Sequence, residues 1–290
     1  MVKNYFLKMF AGIAFLGLLA ACNTTSDPTE SIPDPDPGIP PQKVLTKISV
    51  NNVSREEYMT APVTGILQQA VFKDESATNV SAYYTGTVTY TDKNITKVKF
   101  VSSATASLAY EFNIIPDGTG KKIYNATCTG TGTTPALSHV SDYTFSYDVA
   151  TDKLTKILEK RKAGGISAYN RFIEYAFVYT GNEVFQVVCT KGILDINGAP
   201  EQGTATVTKY NFQNYDGKKS PFSTLPSTYF IMQGLIDPIN FYRLSPSNPT
   251  SMYIQTPSSS TNTAQSYSYD NQGYPVIEKN QNLTYSYKNL

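Results

Sequence analysis

Histidine occurs once in this chain, tryptophan not at all, and cysteine three times among 290 residues. Without clustered His and Cys there is no ligand set for zinc. The histidine, in Pro135-Ala-Leu-Ser-His-Val140, reads as a surface loop residue. No Cys-x-x-Cys spacing is present, which removes the common redox and metal motifs. Charged residues make up only 16% of the chain and the formal net charge is +1. Phosphate-backbone binding needs a clustered basic face, so the balance argues against nucleic acid as a partner.

Catalytic constellations are equally scarce. There is no Gly-x-Ser-x-Gly elbow to seat a nucleophile. Glu56-Glu57 and Asp74-Glu75 are adjacent in sequence, so in a strand their carboxylates point to opposite faces and not at each other across a cleft. Asp195-Ile-Asn-Gly198 is a turn and lacks the ligand spacing of a calcium loop. Gly118-Thr-Gly120 and Gly130-Thr-Gly132 have no following Lys and helix to cradle a phosphate. The reading is a non-enzymatic protein without metal or cofactor.

Aromatics are plentiful, with 22 tyrosines and 14 phenylalanines. They recur in one unit, clearest at Tyr267-Ser-Tyr-Asp-Asn-Gln-Gly-Tyr-Pro-Val-Ile277: an aromatic strand, a polar turn and a second strand. Looser copies begin at Val88, Tyr143, Phe177 and Tyr210. Turn centres fall near residues 92, 118, 150, 181, 216 and 272. Period-2 alternation between such turns predicts an all-β domain over 43–290, an antiparallel hairpin meander forming a barrel-like or strongly curved sheet. Ser54 and Glu57 stand at capping-box spacing and predict one short helical turn. Leu225, Tyr229, Met232 and Leu235 or Ile236 stand at helical spacing, so a short helical insert is expected near 223–235, stopped by Asp237-Pro238.

The N-terminal end carries an address. Lys3 and Lys8 precede an uncharged, mostly apolar run from Met9 to Ala21, too short to span a bilayer but matching a secretory signal. It ends Leu19-Ala20-Ala21-Cys22, which resembles the lipoprotein signal of bacteria. Residues 1–21 then form a signal peptide, and Cys22 is the lipidation site that ties the protein to the membrane. The Pro-rich stretch 22–42 is an extended tether. In an envelope location Cys128 and Cys189 are permitted to pair as a disulfide; two separate buried thiols are the alternative.

Leu19 to Cys22, Tyr143 to Ile157, Asn214-Tyr-Asp-Gly-Lys-Lys-Ser-Pro-Phe222 and Tyr267 to Ile277 together carry a family likeness. The chain resembles lipoproteins of Bacteroides-type bacteria that combine a lipobox, a polar tether and repeated Tyr-Asp hairpins in a porin-like barrel domain. That resemblance implies an outer-membrane address, a barrel and binding of a lipid or other amphiphile, with no catalytic residues to carry over. The residues expected to hold such a ligand are Phe222, Tyr229, Phe230, Met232 and Tyr242, in an apolar segment that would gate a cavity, with Tyr175 and Tyr179. Two alternatives stand beside it. One is a glycan-binding module using Tyr175 and Tyr179 as an exposed platform; the other is a structural or adhesive subunit with an envelope protein partner.

Overall fold

The computed structural model describes residues 42–74, 82–104, 108–132, 138–163 and 165–290. The expected signal peptide, Cys22 and all of the tether but Gln42 lie outside them. The first strands are β1 (Lys43–Val50), β2 (Val53–Thr60), β3 (Leu67–Lys73), β4 (Tyr83–Thr91), β5 (Asn94–Ser102) and β6 (Ala109–Pro116). They continue as β7 (Ile123–Thr131), β8 (His139–Tyr147), β9 (Leu154–Ala163), β10 (Arg171–Thr180), β11 (Glu183–Ile193) and β12 (Thr206–Tyr215). After a long insert come β13 (Pro249–Gln255), β14 (Ser260–Ala264), β15 (Tyr267–Tyr269), β16 (Pro275–Glu278) and β17 (Leu283–Asn289).

Strands β1 to β14 form an antiparallel meander, and β15 to β17 extend it. The last strand returns to the first, with Ile48 opposite Tyr285, so the sheet closes on itself. Closure fixes a parity. If all 17 strands alternated in direction, β1 and β17 would run parallel, yet they pair antiparallel. The resolution lies at β14 and β15, which pair with β13 and β16 respectively and are separated only by Gln265 and Ser266. They are two halves of one bent strand, and the barrel has an even number of staves.

Alternation decides which side chains face in. In β8, His139, Ser141, Tyr143 and Phe145 are buried while Val140, Asp142 and Thr144 are exposed. The outward face carries cross-strand ion pairs: Lys47 with Glu57 at 3.7 Å, Lys97 with Glu111 at 2.9 Å and Lys156 with Glu174 at 3.8 Å. Each contributes little to stability. These pairs put charge on the outer wall, beside exposed Ile115, Tyr124, Val140 and Val178, while the inner wall is largely aromatic and aliphatic. No helix among the described residues is long and apolar enough to cross a membrane.

The two ends of the barrel differ. One carries compact connections such as Asp92-Lys93, both at positive φ as a two-residue hairpin requires. All six turn centres expected from sequence fall at this end. Lys43 enters here too, and Leu290 N donates to Gln42 O at 2.9 Å. The other end carries most of the longer loops, including 194–205.

A barrel this wide leaves an open lumen unless something fills it. Here the chain fills it. Tyr215 and Pro249 lie opposite each other on β12 and β13, and between them the chain turns inward. It makes a 3-10 turn (Pro221–Thr224), helix α1 (Ser227–Ile236) and a second 3-10 segment (Pro238–Leu244). The hairpin turn expected at 216 is thus the neck of a plug, closed by Asn248 Nδ2 donating to Asp216 Oδ2 at 3.2 Å. Helix α1 begins after Pro226 without a side-chain cap from Ser227 or Thr228, and it runs through Gly234 to Ile236. Tyr229 through Leu235 are all buried, because barrel wall surrounds the helix on every side. Gly234 serves packing: a Cβ there would sit 2.5 Å from the Phe241 ring.

Two sequence expectations give way in the wall. The helical turn at Ser54 is strand β2, because Glu56 and Tyr58 must alternate inward to meet the plug. His139 is no surface loop residue; it opens β8 facing inward, 6% exposed, opposite Gly130, where a Cβ would run into its ring.

Candidate functional site

The plug is fastened to the wall by one buried ion pair. Arg243 donates from Nη2 to Glu56 Oε1 at 2.7 Å and from Nη1 to Glu56 Oε2 at 2.8 Å. Nη1 also reaches Gln233 Oε1 at 3.0 Å, and Tyr58 donates to Glu56 Oε2 at 2.5 Å. The guanidinium lies over the Phe222 ring, 4.5 Å from its centre. Burial pushes the Glu56 carboxyl upward, but the charge and hydrogen bonds of Arg243 outweigh it and hold the carboxyl below its ordinary value.

Around this pair the plug meets the wall through aromatic edges. Phe230 packs on Tyr58 and Phe222, Tyr229 on Phe100, and Phe241 on Tyr175 and Phe177 at 5.4 and 5.0 Å. Six of the seven residues expected to hold a ligand are accounted for here. Phe222, Tyr229, Phe230 and Met232 are buried core, Tyr242 packs on Phe222 and Phe212, and Tyr179 donates its hydroxyl to Leu154 O at 3.0 Å. Phe222 touches Phe230 and Tyr242, and Tyr229 touches Phe230, so the segment expected to gate a cavity is part of the filling of the barrel. The aromatic rows of a glycan platform also face inward: Tyr175 is 1% exposed.

Cys128 and Cys189 are separate buried thiols, the second of the two arrangements left open by the sequence. They sit on β7 and β11, four strand spacings apart at roughly 4.8 Å each around the wall. A bridge needs Cα atoms within about 7 Å. Burial pushes both thiols up, Cys189 to about 11. In the native protein, a thiol-exchange reagent at pH 8 is expected to titrate neither cysteine within minutes, and to titrate both rapidly in guanidinium chloride. Fast reaction of the folded chain at either residue would contradict the burial described.

Open space remains at the loop end, where the tip of the plug stops short of the rim. A cavity of about 180 Å³ lies there, floored by Leu235, Ile236 and Pro238 and walled by Tyr143, Tyr175 and Arg161. It shares Arg161, Ile173 and Lys191 with a wider recess of about 490 Å³ that Arg171, Thr204 and Thr206 also border. A second cavity of about 140 Å³, between Tyr84, Asp74 and Asn240, shares Ile236 with the first. Tyr175 is the one expected ligand residue that borders this vestibule.

Inward alternation near the loop ends of β8 to β11 supplies the polar wall. Arg161 donates from Nε to Glu159 Oε1 at 2.6 Å, and Ser141 donates to the same oxygen at 2.6 Å. Glu159 Oε2 is buried and has no partner. Burial works against the charge of Arg161, but Glu159 more than offsets it, so the guanidinium stays protonated. Sequence reasoning passed over Arg161, Arg171 and Lys191. The period that put Tyr175 and Phe177 on one face also puts Arg171 and Ile173 there, and extending the aromatic ladder one end further finds the cation.

Comparison with solved structures agrees with this architecture. The crystal structure of a porin-like protein from Bacteroides vulgatus ATCC 8482 superposes with a TM-score of 0.51 over 86% of this chain and 100% of that one, at 11% identity. The fold is porin-like. A porin-like protein from Bacteroides uniformis ATCC 8492 aligns over 86% of this chain and 97% of its own at 14% identity, with a TM-score of 0.44. No family model and no curated protein matches the chain. At such identities the likeness carries the porin-like fold alone, and the site must be argued from its own residues.

Proposed function

We propose that this porin-like barrel is a non-catalytic binding module of the cell envelope, anchored through Cys22, that takes a small amphiphilic molecule in the vestibule at its loop end. The observation that carries this reading is the apolar floor of Leu235, Ile236 and Pro238 set below a polar wall. Such a pocket suits a ligand with one apolar and one polar part. At about 180 Å³ the cavity is smaller than the roughly 300 Å³ at which drug-sized sites begin, so the ligand is a short amphiphile or the short end of a longer one.

The outer wall supports a barrel standing in water. A lysine or arginine on the lipid face of a membrane barrel costs about 2–4 kcal/mol at the bilayer midplane, and here Lys97, Lys99, Lys156 and Lys160 all point outward. The chain enters the barrel at Lys43, at the end opposite the vestibule.

Methyl-labelled full chain titrated with octyl glucoside and with octyl phosphate, each below its micelle concentration, tests the reading. At least one probe is expected to shift the methyl resonances of Leu235, Ile236 and Ile173 and to leave Ile123, at the compact end, unmoved. Substituting Ile236→Asp should abolish the shifts. Silence of the vestibule methyls toward both probes would sink the proposal.

A further inference from the structure

We infer that the polar part of the ligand is an oxyanion, a phosphate, sulfate or carboxylate, gripped by Arg161, Arg171 and Lys191 on the β9–β11 wall of the vestibule. The inference rests on the reading above for the place of binding and adds the chemistry of the group bound. Three observations converge on it.

The first is register. Arg161 and Arg171 stand directly opposite each other on β9 and β10, both on the inward face. Lys191 is on β11 opposite Ile173, one inward position along from Arg171. Like charges placed directly across a sheet oppose pairing. Three cations on adjacent strands, closing one patch of wall, carry a cost that the fold itself does not recover.

The second is the shortage of acid. Glu159 is the carboxylate of this patch, and its Oε1 is already taken by Ser141 and by Arg161 Nε. That contact uses the edge of the Arg161 guanidinium and leaves its two Nη groups without a protein acceptor among the described residues. Arg171 and Lys191 make no ion pair among the described residues, and both are exposed to the vestibule side of the rim. Arginine forks match the paired oxygens of phosphate, sulfate and carboxylate.

The third is continuity. Arg161 and Lys191 border both the small cavity over Leu235 and the wider recess beside Thr204 and Thr206. An anionic head in the recess and an apolar tail on the floor therefore belong to one molecule of modest length. Low-dielectric walls, with Phe112, Ile173 and Tyr175 beside the cations, strengthen the attraction relative to a flat surface.

Calorimetric titration of the full chain with octyl phosphate, octyl sulfate, octanoate, octyl glucoside and inorganic phosphate tests this. At least one of the three anionic amphiphiles is expected to bind about 10- to 100-fold more tightly than octyl glucoside, and which one it is names the oxyanion. Arg171→Gln and Lys191→Gln are each expected to weaken that probe about tenfold and to weaken octyl glucoside, which carries no charge for them to pair with, by much less. Both residues are exposed, so the variants keep the fold, which circular dichroism would verify. Equal affinity for octyl glucoside and all three anionic probes, or wild-type affinity in both variants, would overturn the oxyanion site while the amphiphile reading stood. Inorganic phosphate binding as tightly as octyl phosphate, and lost in Arg171→Gln, would uphold the oxyanion site and overturn the amphiphile reading. Failure of every probe to bind would overturn both.

Discussion

Replacing Arg243 with methionine is expected to destabilise the barrel by about 3–5 kcal/mol, the usual cost of stranding one partner of a buried ion pair. The substitution leaves the Glu56 carboxylate buried without its guanidinium, with the Tyr58 hydroxyl still donating to it, and it removes the cation over the Phe222 ring. Denaturant unfolding at pH 7 would measure the loss, and thermal melting should show a fall on the order of 10 °C for a domain of this size. The sign with pH is informative. In the native chain Glu56 is held below its ordinary value, so its contribution is present above the unfolded carboxylate range and is lost as pH falls through the lower, folded value. In Arg243→Met, Glu56 is a carboxyl raised by burial, so the deficit relative to wild type should shrink toward pH 4. Exchanging both members, Glu56→Leu with Arg243→Met, is expected to regain most of the loss, since an apolar pair of similar volume has no charge to desolvate. A single variant within about 1 kcal/mol of wild type would show that the pair does not fasten the plug.

Phe241→Ala is the second large change, at about 3–5 kcal/mol. Phe241 is fully buried between Tyr175, Phe177 and the bare backbone of Gly234, and removing its ring leaves a void that the stiff wall cannot close. Its partnership with Gly234 makes the test specific. Gly234→Ala alone forces a methyl to 2.5 Å from the ring and should cost about 1–3 kcal/mol by overpacking. In the Phe241→Ala background the same methyl enters empty space, and its cost should largely vanish. Strict additivity of the two would mean that the helix and the returning 3-10 segment do not pack as described.

Much of this architecture was legible beforehand because strands write their period into the chain. Tyr143, Phe145 and Tyr147 alternate with polar Thr144 and Ser146, and each compact turn carries its own Asp, Asn or Gly. The helical insert was visible for the same reason, as Leu225, Tyr229 and Met232 repeat at the other period. Illegible were the relations between distant positions. Arg243 and Glu56 are 187 residues apart, and neither residue's neighbours distinguish it from a solvated charge. His139 was misplaced because Gly130 and Ser138 look like loop, whereas Gly130 is strand that makes room for the imidazole. The ligand residues were sought among aromatics, and in a barrel that turns its aromatics inward these become core. Cations at strand ends are common enough that only the register, setting Arg161 across from Arg171, reveals their convergence.

The bent strand formed by β14 and β15 limits how this molecule can change its girth. Because β17 must run antiparallel to β1, gaining or losing one stave would bring the seam together with both edges pointing the same way. Hydrogen-bond partners along Ile48 and Tyr285 would then be out of step, and the exposed edges would seek strands of other molecules. Growth and shrinkage that keep this antiparallel seam are therefore quantised in whole hairpins, so that a wider or narrower version of this barrel with the same seam differs from it by two strands at a time, with a plug resized to the new lumen.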